Sequence, residues 1–151
     1  MIQRIQSVYL FIVLLLSIAM LFVPLAEYSI KAVPPNAVHF TLLGFHSQTS
    51  NTLVLPALIT NILIGFITLV SVFLYKNRKV QMRLCLLNVL LTLSLIALIA
   101  YYAFNFNGYY VMNQDYLFGI CLPALMILFL FLARSAIKKD EELVKSLDRL
   151  R

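Results

Sequence analysis

The chain has 151 residues, of which 62% are hydrophobic and 12% are charged, and its formal net charge is +6. A soluble domain carries about 25% charged residues, so this composition excludes an ordinary soluble domain and is typical of a single membrane-embedded domain. The positive net charge alone would permit a nucleic-acid-binding protein, but the distribution of the basic residues along the chain argues against that class.

Four segments contain no Asp, Glu, Lys, Arg or His: residues 7–26, 53–75, 84–104 and 117–133. At 1.5 Å per residue, each is long enough, or nearly so, to cross a hydrocarbon core of ~30 Å. Lipid offers no hydrogen-bond partner to the backbone, so a segment that crosses it must be helical. We therefore predict an all-α membrane protein, a bundle of four transmembrane helices.

The basic residues predict the orientation of these helices. Eleven of the twelve Lys and Arg residues precede the first segment, lie between the second and third, or follow the fourth; only Lys31 does not. Short loops rich in Lys and Arg stay in the cytosol, so residues 76–83, residues 134–151 and both termini are predicted to be cytosolic. Residues 27–52 and 105–116 are then external. The basic surplus is explained by topology and by anionic lipid headgroups, so the expected partner is the lipid bilayer and not a nucleic acid.

The first segment has one alternative interpretation, a cleaved signal peptide. Its apolar run exceeds the 7–15 residues usual for such a peptide, and cleavage after Ala26 would put Pro24 three residues before the cut. An uncleaved helix is therefore the prediction.

The external segments predict a small cap. Residues 27–52 alternate weakly between apolar and polar side chains on both sides of a turn cluster at 34–37. The apolar members are Tyr28, Ile30 and Ala32 before the cluster and Val38, Phe40 and Leu42 after it. This pattern favours a short β-hairpin, which needs support from the helices or from residues 105–116 because two strands alone are marginally stable. Residues 46–52 are polar and are predicted to form a loop.

Polar residues inside the second and third segments are predicted to serve helix packing. Asn61, Gly65 and Thr68 share one face of the second helix, and Asn88 and Thr92 share one face of the third. Small and amide side chains let membrane helices approach closely and hydrogen-bond, with about 0.6–2 kcal/mol for each bond. Asn61 is expected near the external side and Asn88 near the cytosolic side, so one shared substrate site is not predicted.

The residues that usually carry chemistry predict no enzyme, no metal site and no cofactor. Cys85 and Cys121 are expected at opposite depths, too far apart for a disulfide or thiol relay. His39 and His46 are external and lack further ligands at metal-site spacing. The four segments also lack the buried charge that an ion-coupled transporter normally shows.

The C-terminal segment, residues 134–151, has no Gly or Pro and is predicted to be helical. Its apolar stripe comprises Leu143, Val144, Leu147 and Leu150, and its candidate basic contacts are Lys138, Lys139, Lys145 and Arg149. We expect this surface to dock on a protein partner or on the inner leaflet, with the alternative that the stripe covers the protein's own connector at 76–83. Whether the helix continues the fourth span or bends along the membrane stays open. Asp140 lies on the side of the stripe or else caps a separate helix.

The two ends of the chain resemble those of a known family. They read MIQRIQSVYL at residues 1–10 and AIKKDEELVKSLDRLR at residues 136–151. They are similar to the ends of small four-span membrane proteins of the Bacteroidota, the domain-of-unknown-function family 4293. The resemblance implies a bacterial inner-membrane location and a role for the C-terminal helix, but no activity.

The resulting functional hypothesis is a non-enzymatic accessory or scaffold subunit of a membrane complex. The alternative is a small carrier or channel for a neutral or lipid-like molecule, lined by the polar face of the second helix and the aromatic residues of 105–116. The sequence predicts neither the partner nor the oligomeric state.

Overall fold

The computed structural model of the protein describes residues 3–30, 36–46, 51–74, 77–106 and 111–149. Within these ranges the chain forms four α-helices, which are α1 Gln3–Phe22, α2 Leu55–Phe73, α3 Arg78–Phe106 and α4 Cys121–Arg149. It also forms five strands, which are β1 Ala26–Ile30, β2 Asn36–Thr41, β3 Gly44–His46, β4 Asn51–Leu53 and β5 Val111–Tyr116. A short 3-10 turn, Phe118–Ile120, joins β5 to α4.

The helices pack as an up-and-down bundle. Both α1 and α3 contact α2 and α4. The end of α1, the start of α2, the end of α3 and the start of α4 all lead into the strands, so the sheet lies at one end of the bundle, here called the sheet end. The opposite end, where residues 74–77 join α2 to α3, is here called the connector end.

Each of the four helices is long and apolar enough to cross a membrane. The candidate membrane-spanning stretches are Ile5–Phe22, Leu55–Phe73, Arg78–Asn105 and Phe118–Val144. Large apolar side chains on the outside of the helices, such as Phe11, Phe66 and Leu90, are at least half exposed. Such a surface is unfavourable in water, and it is compatible with a multi-pass membrane protein. The prediction of four long apolar helices is confirmed.

The helix ends differ from those of the predicted segments; α3, for example, begins at Arg78 and not at residue 84. The predicted segment 7–26 runs too far, because α1 ends at Phe22 and Ala26 begins β1; Pro24 has no N–H to continue the helix. The predicted segment 117–133 stops too early, because α4 continues to Arg149 without interruption. The C-terminal helix therefore continues the fourth apolar segment, and the idea that Asp140 caps a separate helix is wrong.

The strands form one antiparallel sheet in the order β4-β3-β2-β1-β5. β1 pairs with β2, with Tyr28 opposite Val38, so the two strands of the predicted hairpin are confirmed. Asn36 and Ala37, expected in the turn, already belong to β2, and residues 31–35 lie outside the described ranges. The support comes from the segment 105–116, whose strand β5 pairs with β1.

The loop predicted at 46–52 is wrong at both ends. His46 ends β3 and Asn51 begins β4, and these two residues are paired. β3 pairs with β2 because the chain reverses tightly after β2, at Gly44, whose φ of 145° favours glycine. The polar composition hid β4, which is the edge strand of the sheet and is only three residues long.

The core runs without a break from the sheet into the bundle. Tyr28, Val38, Phe40 and Leu42 are all buried, as their alternation predicts, and the Phe40 ring stacks on Phe45 with centroids 4.5 Å apart. At the opposite end of the core Ile137 of α4 is completely buried. The apolar interior therefore extends along α4 from Met126 to Ile137.

Candidate functional site

Buried polar side chains link the helices inside the bundle, in what we call the polar seam. Asn61 Nδ2 of α2 donates a hydrogen bond to the Ser17 carbonyl oxygen of α1 at 3.0 Å. One turn further, Gly65 faces the same neighbour, because a Cβ built there would lie 3.0 Å from Ser17 Oγ. These two residues therefore define a close approach of α1 and α2.

Two other predicted packing residues, Thr68 and Asn88, join α2 to α3. Asn88 Nδ2 donates to Thr68 Oγ1 at 2.9 Å, and both side chains are completely buried. The Thr68 hydroxyl donates to the Ile64 carbonyl at 2.7 Å, and the Thr92 hydroxyl donates to the Asn88 carbonyl at 2.7 Å. The structure thus gives Asn61 and Asn88 different helix partners and does not bring them together in one site.

The polar seam continues through residues that the sequence analysis did not single out. Gln81 Nε2 of α3 donates to the Ser71 carbonyl of α2 at 3.1 Å, and Gln81 is buried. Gln6 Nε2 of α1 donates to the Ala136 carbonyl of α4 at 3.3 Å. Gln81 was assigned to the connector at 76–83, but α3 begins at Arg78, which turns this glutamine into a helix-packing residue.

An ion pair holds α4 to the start of α3 at the connector end. Arg78 Nη2 lies 3.0 Å from Asp140 Oδ2, and Arg78 Nη1 donates to the Asp140 carbonyl at 3.4 Å. The two side chains are only 21% and 11% exposed, respectively. Because Asp140 and Ile137 are buried against the bundle, this part of the C-terminal segment covers the protein's own connector end.

Beyond Asp140 the described surface of α4 becomes open. Leu143 is 47% exposed and Val144 is 38% exposed. Lys138 Nζ lies 3.9 Å from Glu142 Oε1 on an exposed face of the same helix. The side chains of Lys145, Leu147 and Arg149, and the whole of Leu150, lie outside the described residues.

A groove of about 360 Å³ runs between α1 and α4 near the connector end, and we call it the α1–α4 groove. Its lining comprises Ile5, Tyr9, Leu132, Ser135, Ala136, Lys139 and Leu143. The hydrogen bond from Gln6 to Ala136 ties the two helices together beside it. A mostly apolar lining with two hydroxyl groups, those of Tyr9 and Ser135, and one ammonium group suits an amphipathic molecule better than a polar metabolite.

A second groove, of about 480 Å³, lies between α3 and α4 near the sheet end. Its lining comprises Ile96, Ile99, Ala100, Ala103, Phe104, Tyr116, Ile120 and Pro123. No residue of this lining carries a charge at neutral pH. The predicted packing residues Asn61, Gly65, Thr68, Asn88 and Thr92 line neither groove.

The sheet brings some titratable groups together. Glu27 and His39 are paired across β1 and β2, with Oε1 and Nδ1 3.0 Å apart, and both side chains are roughly half exposed. Burial, and secondarily the neighbouring Tyr116, raises the pKa of the Tyr28 hydroxyl above its ordinary value.

The described residues contain no group of three or more His, Cys, Asp or Glu side chains that could hold a metal ion. Cys85 and Cys121 are both free thiols; Cys85 is buried in α3 toward the connector end and Cys121 is exposed at the sheet end of α4.

The comparison with known families gives one result. A family model described as "Domain of unknown function (DUF4293)" matches residues 2–150, nearly the whole chain. No curated protein and no solved structure matches the chain.

Proposed function

We propose that this chain, which belongs to the DUF4293 family, is a multi-pass protein of a bacterial inner membrane that acts without catalysis. Its role is that of an accessory or scaffold subunit of a membrane complex. Both termini and the connector end lie in the cytosol, and the sheet forms an external cap. The end of α4 docks on a protein partner.

The surface of the bundle supports the membrane location. Exposed leucine, isoleucine and phenylalanine side chains cover the outer faces of all four helices, where they match acyl chains rather than water. The basic residues support the orientation. Arg78, Lys79, Arg83, Lys138 and Lys139 all belong to the connector end, and positively charged ends of membrane helices stay in the cytosol.

The continuity of α4 is the observation that carries the proposed docking role. Its 29 residues correspond to a rod of about 44 Å, which exceeds a hydrocarbon core of ~30 Å. A helix that lies on the inner leaflet has to turn away from the direction of its span. α4 continues without interruption, and Asp140 holds it to α3. Its end is therefore not free to lie on the leaflet, which favours a protein partner over the inner leaflet as the docking surface.

The chemistry of the α4 end indicates what the partner offers. Leu143 and Val144 give it an exposed apolar patch, and Lys138 and Lys139 give that patch a basic border. Amphipathic helices of this type dock with their apolar face in a groove on another protein. We therefore propose a partner protein with an apolar groove and an acidic rim.

Substitution of Val144 by glutamate is expected to release this partner. A charge placed in the apolar contact leaves a carboxylate desolvated, so the amount of the partner that purifies with the intact protein in mild detergent falls at least tenfold. A photo-crosslinking residue at position 144 should attach to the same partner. A glutamate at position 128 would place a charge in lipid, so Leu128→Glu is unsuitable as a control. Leu128→Ala, at an exposed position in the apolar part of α4, is the control variant and is expected to retain the partner.

Two outcomes would contradict the docking role. Identical co-purifying proteins from the intact chain and from a form that ends at Glu142 would show that the α4 end recruits nothing. Crosslinks from position 144 to lipid, or to a second copy of the chain alone, would exclude a separate protein partner.

The carrier or channel alternative has less support. The polar side chains expected to line its path bond helix to helix in the polar seam, and neither of the two grooves includes them. Of the aromatic residues expected at the entry, Tyr109 and Tyr110 lie outside the described residues, and Tyr116 lines the groove between α3 and α4.

A further inference from the structure

We infer that the α1–α4 groove binds one anionic phospholipid molecule, with an acyl chain along its apolar floor and the phosphate at Lys139 and Ser135. This inference rests on the proposed membrane location. It adds a lipid site to the proposed role of the α4 end.

The spacing of the lining residues fits a chain with a head group at one end. Leu132, Ser135, Lys139 and Leu143 lie on successive turns along one face of α4, and Ile5 and Tyr9 lie one turn apart on α1. A volume of about 360 Å³ is near the lower limit of the range of about 300–1,000 Å³ typical of ligand sites. The groove therefore has room for part of an amphipathic molecule, and the head group stays at the rim.

The charge of the rim selects an anion. Lys138 has Glu142 as its partner and Arg78 has Asp140, whereas Lys139 makes no ion pair with any residue that the structure describes. Its ammonium group borders an apolar groove at the end of the bundle that holds nearly all of the basic residues. Basic pockets between membrane helices on the cytosolic side bind anionic lipid head groups, and each Lys or Arg near the surface contributes about 1 kcal/mol.

The hydroxyl of Ser135 supplies a neutral donor one turn from Lys139, which suits a phosphate oxygen. A zwitterionic lipid carries its own cation next to its phosphate and gains less from Lys139. The groove between α3 and α4 has no charged lining residue, so it offers no comparable selection by head group.

Native mass spectrometry of the intact protein in detergent, titrated with phosphatidylglycerol or phosphatidylcholine, tests the inference. The first phosphatidylglycerol is expected to bind about fivefold more tightly than the first phosphatidylcholine, because of the single cation at the rim. Lys139→Gln should remove this preference and leave phosphatidylcholine binding unchanged, and Lys139→Arg should retain the preference. Lys138→Gln is the matched control, since it removes the same charge from the neighbouring position outside the groove. Ser135→Phe, which fills the groove, should weaken the binding of both lipids.

If Lys139→Gln and Lys138→Gln lose the same amount of affinity for phosphatidylglycerol, the inference is overturned, because the lipid is then attracted to the basic surface in general. Full competition by inorganic phosphate would overturn it as well, since the acyl chain would then contribute nothing. A chain that leaves the membrane in alkaline carbonate without detergent would instead contradict the proposed membrane location. If Ser135→Phe fails to fold, the three lysine variants still decide the question.

Discussion

Substitution of Gly119 by alanine is expected to destabilise the protein by about 3 kcal/mol, the upper part of the range for overpacked sites. A Cβ at this position would lie 2.5 Å from the Pro24 carbonyl oxygen and 3.2 Å from Leu25 Cα. Both atoms belong to the backbone and have no rotamer to escape. Leu25 is also fixed by its neighbours, because its N–H donates to Phe40 O at 2.7 Å and its carbonyl accepts from Leu117 N at 3.1 Å.

Gly65→Ala is the matched control for this prediction. Its added Cβ would meet Ser17 Oγ at 3.0 Å, the end of a side chain that rotates, and alanine favours the helix by up to about 1 kcal/mol over glycine. We expect a change of less than about 1 kcal/mol in either direction. Unfolding of the two variants by increasing SDS in mixed micelles gives both free energies. Equal losses of unfolding free energy in the two variants would contradict the prediction, because the backbone at Pro24 would then move aside as easily as the Ser17 side chain.

Substitution of Arg78 by alanine is expected to cost about 2 kcal/mol, less than the 3–5 kcal/mol for a fully buried pair because both side chains keep some exposure. The change leaves the Asp140 carboxylate, which is 8% exposed as a residue, without its cation. Since this pair ties α4 to α3, we expect the connector end to open first. Faster hydrogen exchange of amides around Asp140 measures that opening.

The exposed pair of Lys138 and Glu142 is the matched control, since its atoms are 3.9 Å apart on the surface of one helix. Glu142→Ala should cost less than about 0.5 kcal/mol. A double-mutant cycle with Arg78→Ala and Asp140→Ala should give a coupling well above that value. A coupling near zero would mean that α4 is held by apolar packing alone.

The bundle could be predicted from the sequence because lipid imposes a simple rule. A segment without charged residues and about twenty residues long has to form a helix, so four segments predict four helices. The strands β1 and β2 could be predicted because Tyr28, Val38 and Phe40 alternate with polar residues and are buried on one side. The residues 46–52 gave no such signal, and their strands exist because β2 offers an edge to β3 and β3 in turn offers one to β4.

The length of α4 was left open for a physical reason. Residues 134–149 contain no stop signal, but Asp140 is also a favourable residue for the start of a new helix. Its actual role depends on Arg78, which is 62 positions away in the chain. No local pattern reports a contact of that kind.

The close approach at Gly119 was also invisible in the sequence. A single glycine at the start of an apolar segment is compatible with a helix start, and only the path of Pro24 and Leu25 past it makes a side chain unfavourable. The polar seam was predictable in part. Asn88 and Thr68 stand out because amides and hydroxyls are rare between apolar residues, whereas Gln81 lay in a stretch where glutamine is ordinary.

Labelling of engineered cysteines tests the membrane arrangement most directly. Single cysteines are placed at Ser47, between β3 and β4, and at Asn77, at the connector end, with Cys85 and Cys121 replaced by alanine. A membrane-impermeant maleimide added to spheroplasts is predicted to modify the cysteine at position 47 and to modify the one at position 77 only after permeabilisation. Modification at 77 with protection at 47 would show that the orientation is reversed. Modification at both positions without permeabilisation would contradict the claim that the helices span the membrane.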